Sequence, residues 1–274
     1  MRTGVRRVRR SRLLILVTLL LALGGAIFTG TAGSASAATA CSAGTYFNGS
    51  NCVPADPGYY VAVAGATSET PCPAGTFQPN AGQTSCEPAA PGYFVATTGQ
   101  VSQTACQAGT YQPSSGAKDC VPAAPGHFVD TAAATSDTPC AAGTFQPNTG
   151  QASCEPATPG YFVSATGQAS DTPCAPGTFQ PSTGQASCEL AAPGYYVSTI
   201  AATSDTACPA GAYQPSTGQT GCIPASVNHY VPGAGYAEQL ACPAGTDQPL
   251  IGQTSCVPVT AGEKVATAAR IEFS

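Results

Sequence analysis

CAAGTFQPNTGQASCEPATPGYFVSATGQASDTP, residues 140–173, is one copy of a unit that begins again at Cys174. Cysteines recur at 72, 106, 140, 174, 208 and 242, and again at 86, 120, 154, 188, 222 and 256, so both series step by 34 residues. A fixed period of this size marks a repeat array, in which each unit buries surface against its neighbours, and not a globular enzyme core.

Working outward from residues 140–173, the period divides the chain into repeats 38–71, 72–105, 106–139, 140–173, 174–207, 208–241 and 242–274. The first is three residues short between Cys41 and Cys52, with Asn48-Gly49 as its turn. The sixth has a degenerate second half, where Val227-Asn228-His229-Tyr230 replaces the Pro-Gly-aromatic motif. In the seventh, Asp247 stands at an aromatic position and Glu263-Lys264 at the aromatic doublet. Polar, atypical terminal repeats are expected to act as caps, so 242–274 reads as a C-terminal cap, the alternative being a truncated part of a longer protein.

Ahead of the repeats, residues 1–37 carry six arginines before Leu13, an apolar run from Leu13 to Phe28, and small residues ending at Ala35-Ser36-Ala37. This is the pattern of a secretory signal peptide cleaved after Ala37. The apolar run is short and holds Gly24 and Gly25, which argues against a retained membrane span. Cleavage leaves Lys118, Lys264 and Arg270 against fourteen acidic residues, a net charge of 3 minus 14, or −11. So acidic a chain has no electrostatic footprint for nucleic acid or for anionic lipid.

The remaining 237 residues (274 less 37) contain no tryptophan and few large aliphatic side chains, so an ordinary core is out of reach. Regularly spaced cysteines in an exported chain supply the substitute, a disulfide framework. Two pairings are open. Bonding within the short loops (Cys41 with Cys52, Cys72 with Cys86, Cys106 with Cys120, Cys140 with Cys154, Cys174 with Cys188, Cys208 with Cys222, Cys242 with Cys256) uses all fourteen thiols. Bonding across the longer intervals strands Cys41 and Cys256, so seven short-loop bridges are favoured, although spacing alone does not prove connectivity.

Each repeat holds two related halves. In the first, Phe145 precedes a turn at Pro147–Gly150, and Gln151 to Ser153 reads as the returning strand of a small hairpin. In the second, Pro159-Gly160 turns into the aromatic strand Tyr161-Phe162-Val163, and Gly167 begins the way back. No window has sustained helical periodicity. The fold class is therefore small disulfide-rich repeats, with short β-hairpins and turns in an elongated array and almost no helix outside the signal peptide. If each half advances one short strand, roughly 17 Å, the array reaches on the order of 200 Å.

The aromatic residues are read first as the miniature core of each half, each ring packing on a disulfide and a proline. Neighbouring strand residues point opposite ways, so one ring of each doublet is expected to face outward. Tyr59, Tyr93, His127, Tyr161 and Tyr195 are the candidate binding row on that argument. The acids Glu69, Asp137, Asp171 and Asp205 recur near Ser and Thr, but isolated carboxylates rarely assemble the six or more oxygens that calcium needs. There is no Cys-x2-Cys, and His127 and His229 lie three repeats apart, which argues against zinc. Neither histidine has a recognisable nucleophile partner, and no paired-carboxylate or phosphate-loop motif is present, so an enzyme, a metal and a cofactor are not expected.

The half-repeat Cys-x2-Gly-Thr-[Phe/Tyr]-Gln-Pro-x2-Gly-x3-Cys, with its partner Pro-Gly-[Tyr/His]-[Phe/Tyr]-Val, resembles the ephrin-receptor-like cysteine-rich repeat, a relative of the tumour necrosis factor receptor and growth-factor-receptor cysteine-rich modules. The resemblance implies an elongated, disulfide-laddered extracellular stalk. The spacing of Cys140 and Cys154 around Gly143 and Phe145 also looks like the one-bridge module of tumour necrosis factor receptors, where such a pair is bonded to itself. The usual Cys-x2-Cys junction is missing at Cys154-Glu155-Pro156-Ala157, which suggests looser joints between halves. Nothing resembles a kinase or an ephrin-binding domain. The arginine- and alanine-rich leader resembles those of high-GC Gram-positive bacteria. The expectation is thus a secreted, non-enzymatic structural spacer or adhesion-type array, its partner an unknown extracellular protein or glycan. The alternative is a ligand-binding module that uses the exposed rings and the acidic loops.

Overall fold

Every Gly-Thr-aromatic and Gly-aromatic-aromatic segment places a glycine in the left-handed region ahead of a residue pair suited to extended backbone, and each such pair becomes a strand. The computed structural model describes residues 41–259. The signal peptide expected at 1–37, and residues 260–274 with Glu263-Lys264, lie outside the described residues.

Thirteen two-stranded antiparallel hairpins follow one another along the described chain. Numbered in order, hairpin 1 pairs Thr45–Phe47 with Cys52–Pro54. Hairpin 7 pairs Thr144–Phe145 with Glu155–Pro156, and hairpin 8 pairs Tyr161–Phe162 with Thr172–Pro173. Hairpin 13, the last, pairs Thr246–Asp247 with Val257–Pro258. Odd-numbered hairpins are the first halves of repeats and even-numbered hairpins the second halves. There is no helix among the described residues. The fold is that of small disulfide-rich β-hairpin repeats.

The returning strand of the first halves differs from the sequence reading. It is Glu155–Pro156, beyond Cys154, and not Gln151 to Ser153. Gln151 is used elsewhere: its carbonyl accepts the Val129 N–H of hairpin 6 at 3.0 Å. Strands this short span only about 7 Å, so a half does not advance by the longer strand on which the 200 Å reach was based.

A two-residue hairpin is not stable alone, and backbone bonds to the next hairpin supply part of what is missing. From hairpin 6 to hairpin 7, Gly126 N–H donates to Gln146 O at 2.7 Å, Val129 N–H to Gln151 O at 3.0 Å, and Gly150 N–H back to Ala123 O at 2.8 Å. From hairpin 7 to hairpin 8 the same three places recur as Gly143 to Val163, Gln146 to Gln168, and Gly167 to Cys140, at 2.8–3.1 Å. The joints between halves, expected to be looser for want of a Cys-x2-Cys junction, are instead bridged by main-chain hydrogen bonds.

Contacts also skip one hairpin. A Cβ on Gly160 of hairpin 8 would overlap the carbonyl oxygen of Ala201 in hairpin 10, and one on Gly143 of hairpin 7 would overlap that of Gly184 in hairpin 9. Odd hairpins thus touch odd ones and even hairpins touch even ones, while the backbone ladder ties the two series together.

Approach this close dictates what fits between the hairpins. One buried row alternates Cys72, Ala89, Cys106, Ala123, Cys140, Ala157, Cys174, Ala191 and Cys208, each with no exposed surface. The other alternates Val61, Gln78, Val95, Gln112, Val129, Gln146, Val163 and Gln180, each no more than 8% exposed. The aromatic rings expected to form the core are only half-buried and flank these rows of smaller side chains.

Candidate functional site

Each hairpin loop must be closed across its base, and the two series do this with different chemistry. In odd hairpins a disulfide closes it. The seven bridges are Cys41–Cys52, Cys72–Cys86, Cys106–Cys120, Cys140–Cys154, Cys174–Cys188, Cys208–Cys222 and Cys242–Cys256. No cysteine is left free. The six bridges that span fourteen residues have Cα–Cα distances of 5.7–5.8 Å.

Even hairpins have alanine at the first of these positions and Glu, Gln or Asp at the second. There a side-chain oxygen closes the loop by accepting a backbone N–H thirteen residues earlier. Glu69 accepts from Asp56 at 2.7 Å, Gln103 from Ala90 at 2.7 Å, and Asp137 from Ala124 at 3.3 Å. Asp171 accepts from Thr158 N–H at 3.3 Å and from its hydroxyl at 3.1 Å. Asp205 accepts from Ala192 at 3.2 Å and Gln239 from Ser226 at 2.7 Å. The acids that looked like loop charges for a ligand or for calcium are clasps, each with one oxygen already engaged. Among the described residues, no three His, Cys, Asp or Glu side chains converge on a possible metal position.

A second set of side chains shapes the disulfide loops. Gln146, 2% exposed, donates from Nε2 to Ser153 O at 2.8 Å, and its Oε1 accepts Asn148 N–H at 3.0 Å. Gln78, Gln112, Gln180, Gln214 and Gln248 repeat both bonds. An interior amide with both ends engaged holds the turn at Pro147–Gly150 in one shape. Thr144 adds a hydroxyl bond to Ala141 O at 2.8 Å, closing the Cys-x2-Gly-Thr turn.

The candidate binding row lies on the even hairpins. Tyr59, Tyr93, His127 and Tyr161 are half-buried, and Tyr195 is exposed at 36%. Their doublet partners Tyr60, Phe94, Phe128, Phe162 and Tyr196 are half-buried as well, so the doublets do not divide into an inner and an outer ring. With neighbours one and two hairpins away, neither strand side is a clean solvent face. The first ring of the doublet leans along its series: the Tyr59 hydroxyl reaches Gly99, His127 Nε2 reaches Gly167, and the Tyr195 hydroxyl reaches Gly235. His127 Nδ1 stands 3.4 Å from Asp137 Oδ1 without a hydrogen-bond partner. The row brings rings and the free oxygens of the clasping acids onto one series of hairpins, which spacing alone did not reveal.

The odd series, by contrast, presents Glu87, Val121, Glu155, Glu189 and Ile223 as exposed strand residues, a position where glutamate and aliphatic side chains interchange. No helix among the described residues is long and apolar enough to cross a membrane. Disulfide-rich repeats of this kind are consistent with an extracellular location.

No curated protein matches this chain. The family model described as tyrosine-protein kinase ephrin type A/B receptor-like matches residues 58–104, 92–140 and 160–208. Each matched stretch runs from a Pro-Gly-aromatic hairpin through at least one disulfide hairpin, which is the alternation described above. Residues 58–140 and 160–208 are accordingly ephrin-receptor-like cysteine-rich repeats by this match.

Proposed function

We propose that the chain is a secreted, non-enzymatic array that acts as a structural spacer or adhesion-type element at the cell exterior. The carrying observation is that the most regularly recurring polar groups of the repeat are used to close its own loops. Cysteines, clasping acids and buried glutamines each close their own loop, which suits a mechanical element better than a reactive site. Small-angle scattering of residues 38–274 tests the spacer reading. A compact chain of this length has a radius of gyration of about 18 Å, whereas a spacer is expected well above about 25 Å, and the compact value would refute the proposal.

One observation favours a second reading, a ligand-binding module for a protein or glycan. Rings and carboxylates share the even series, and Tyr195 is the most open ring of the row. Glycan and protein screens with the wild type and with Tyr93→Ala, Tyr161→Ala and Tyr195→Ala variants decide it. Affinity that survives all three changes removes the row as the binding surface.

A further inference from the structure

Hairpin 1 turns on Asn48-Gly49, the one Asn-Gly pair in the chain. We infer that this turn is a self-modifying site, at which the Gly49 amide nitrogen attacks the Asn48 side chain and converts it to aspartate and isoaspartate. Four features of the loop support the assignment. Asn48 Oδ1 accepts two backbone N–H groups, from Ser50 and from Asn51, both at 3.0 Å. Two donors on one carbonyl oxygen are the arrangement that stabilises the oxyanion of a tetrahedral intermediate. The Gly49 N–H has no hydrogen-bond partner among the described residues, so the nucleophile is not engaged elsewhere. Gly49, at φ 99°, has no Cβ to obstruct the approach, and nothing lies within 4 Å of where one would be. Finally, Asn48, Gly49 and Ser50 are all exposed, so hydroxide and water reach the loop.

The step balances without any oxidant or cofactor. Hydroxide removes the Gly49 amide proton, and the nitrogen forms a bond to Asn48 Cγ while negative charge collects on Oδ1 beneath the two N–H donors. The Cγ–Nδ2 bond then breaks and ammonia leaves with a proton from water, giving a five-membered succinimide. Water adds to either carbonyl of that ring and opens it, to aspartate by one route or to isoaspartate by the other. The isoaspartate route moves the main chain through the former side chain, adding a methylene to the turn inside the Cys41–Cys52 loop. Both products add one negative charge. Asn80-Ala81 and Asn148-Thr149 occupy the corresponding turns of hairpins 3 and 7 and carry side chains on the attacking residue, so they serve as internal references.

The test is incubation of the mature, disulfide-intact chain at mildly alkaline pH, with peptide mapping for a mass gain of about 1 Da and for isoaspartate. The same measurement is made on the reduced, alkylated chain. The folded protein is expected to convert Asn48 at least about threefold faster than the unfolded one, with Asn80 and Asn148 unchanged over the same period. Ser50→Pro removes one of the two N–H donors and is expected to reduce the folded rate. If that variant does not fold, the comparison of folded with unfolded wild type still decides the matter. A folded rate equal to or below the unfolded rate would overturn the assignment.

Discussion

If disulfide and carboxylate clasps are equivalent closures of one hairpin, then replacing one by the other should succeed at a chosen place. The double variant Ala157→Cys with Asp171→Cys tests this in hairpin 8. Ala157 occupies the row position of Cys140 with no exposed surface, and residues 157 and 171 are separated by fourteen positions, as are Cys140 and Cys154. The registers agree as well, with Thr144 opposite Pro156 in hairpin 7 and Tyr161 opposite Pro173 in hairpin 8. A new bridge is therefore expected to meet the Cα–Cα spacing of 5.8 Å seen for Cys140–Cys154. Closing a loop of this length in the unfolded chain stabilises by about 3 kcal/mol. Losing the two Asp171 bonds, both 3.1 Å or longer and solvent-facing, costs about 1 kcal/mol. The expected net gain is about 2 kcal/mol, local to hairpin 8 and its neighbours because arrays need not unfold in one step. Mass spectrometry counts bridges, and hydrogen exchange of the Tyr161–Phe162 and Thr172–Pro173 segments reads local stability. Two free thiols at 157 and 171, in material whose seven native bridges have formed, would refute the equivalence, as would faster exchange in the bridged form.

Further outcomes follow from the same geometry. Gln146→Leu leaves Asn148 N–H and Ser153 O without their side-chain partner and is expected to cost about 2–3 kcal/mol, read by denaturant melting and by faster exchange across residues 146–153. Gly160→Ala drives a methyl into the Ala201 carbonyl oxygen, and loss of the hairpin 8 to hairpin 10 contact is expected, at about 3 kcal/mol or more. The reverse change at the other side of that contact, Ala201→Gly, relieves a non-glycine residue held at φ 55° and should stabilise by up to about 1 kcal/mol. Thiol reductant is expected to unfold the odd hairpins, whereas a chelator should leave the melting profile unchanged; a chelator-induced shift would show that the clasping acids hold a metal after all.

Much of this architecture was legible because its punctuation is chemical. Cysteine spacing marked the loops, and Pro-Gly and Gly-Thr marked where the strands begin. The two related halves of each repeat were legible as well, and what escaped was which residue of one half corresponds to which residue of the other. Cys140 and Ala157 do not resemble each other as letters, and neither do Cys154 and Asp171, yet each pair fills the same place in successive hairpins. Read at a step of 34, Asp171 is a recurring surface acid; read at a step of 17, it stands where a cysteine belongs. The rings were misassigned for a related reason. Aromatic side chains are usually the best core material in a chain so poor in large aliphatics, but hairpins that approach to glycine–carbonyl contact leave space only for Cys, Ala, Val and an extended Gln, and push the rings to the flanks. Degenerate copies kept the pattern through compatible backbones: Asn228 replaces the turn glycine at φ 60°, a conformation asparagine tolerates, so hairpin 12 forms without Pro-Gly.

The alternation of clasps also distributes stability unevenly along the chain. An odd hairpin, its loop closed covalently, has a smaller unfolded ensemble and retains its closure when it opens. An even hairpin closed by one or two side-chain bonds loses its closure on opening, and it is held chiefly by the ladder to the odd hairpins on either side. Every even hairpin within residues 59–241 has such a neighbour before and after it. Opening of hairpin 8 therefore breaks the bonds Gly143 to Val163 and Gly160 to Gln180 while the loops at Cys140–Cys154 and Cys174–Cys188 stay closed as templates for its return. An array so arranged is expected to yield at alternate units under load while keeping its order, a property that suits the proposed spacer role and that a second cysteine pair in every even hairpin would take away.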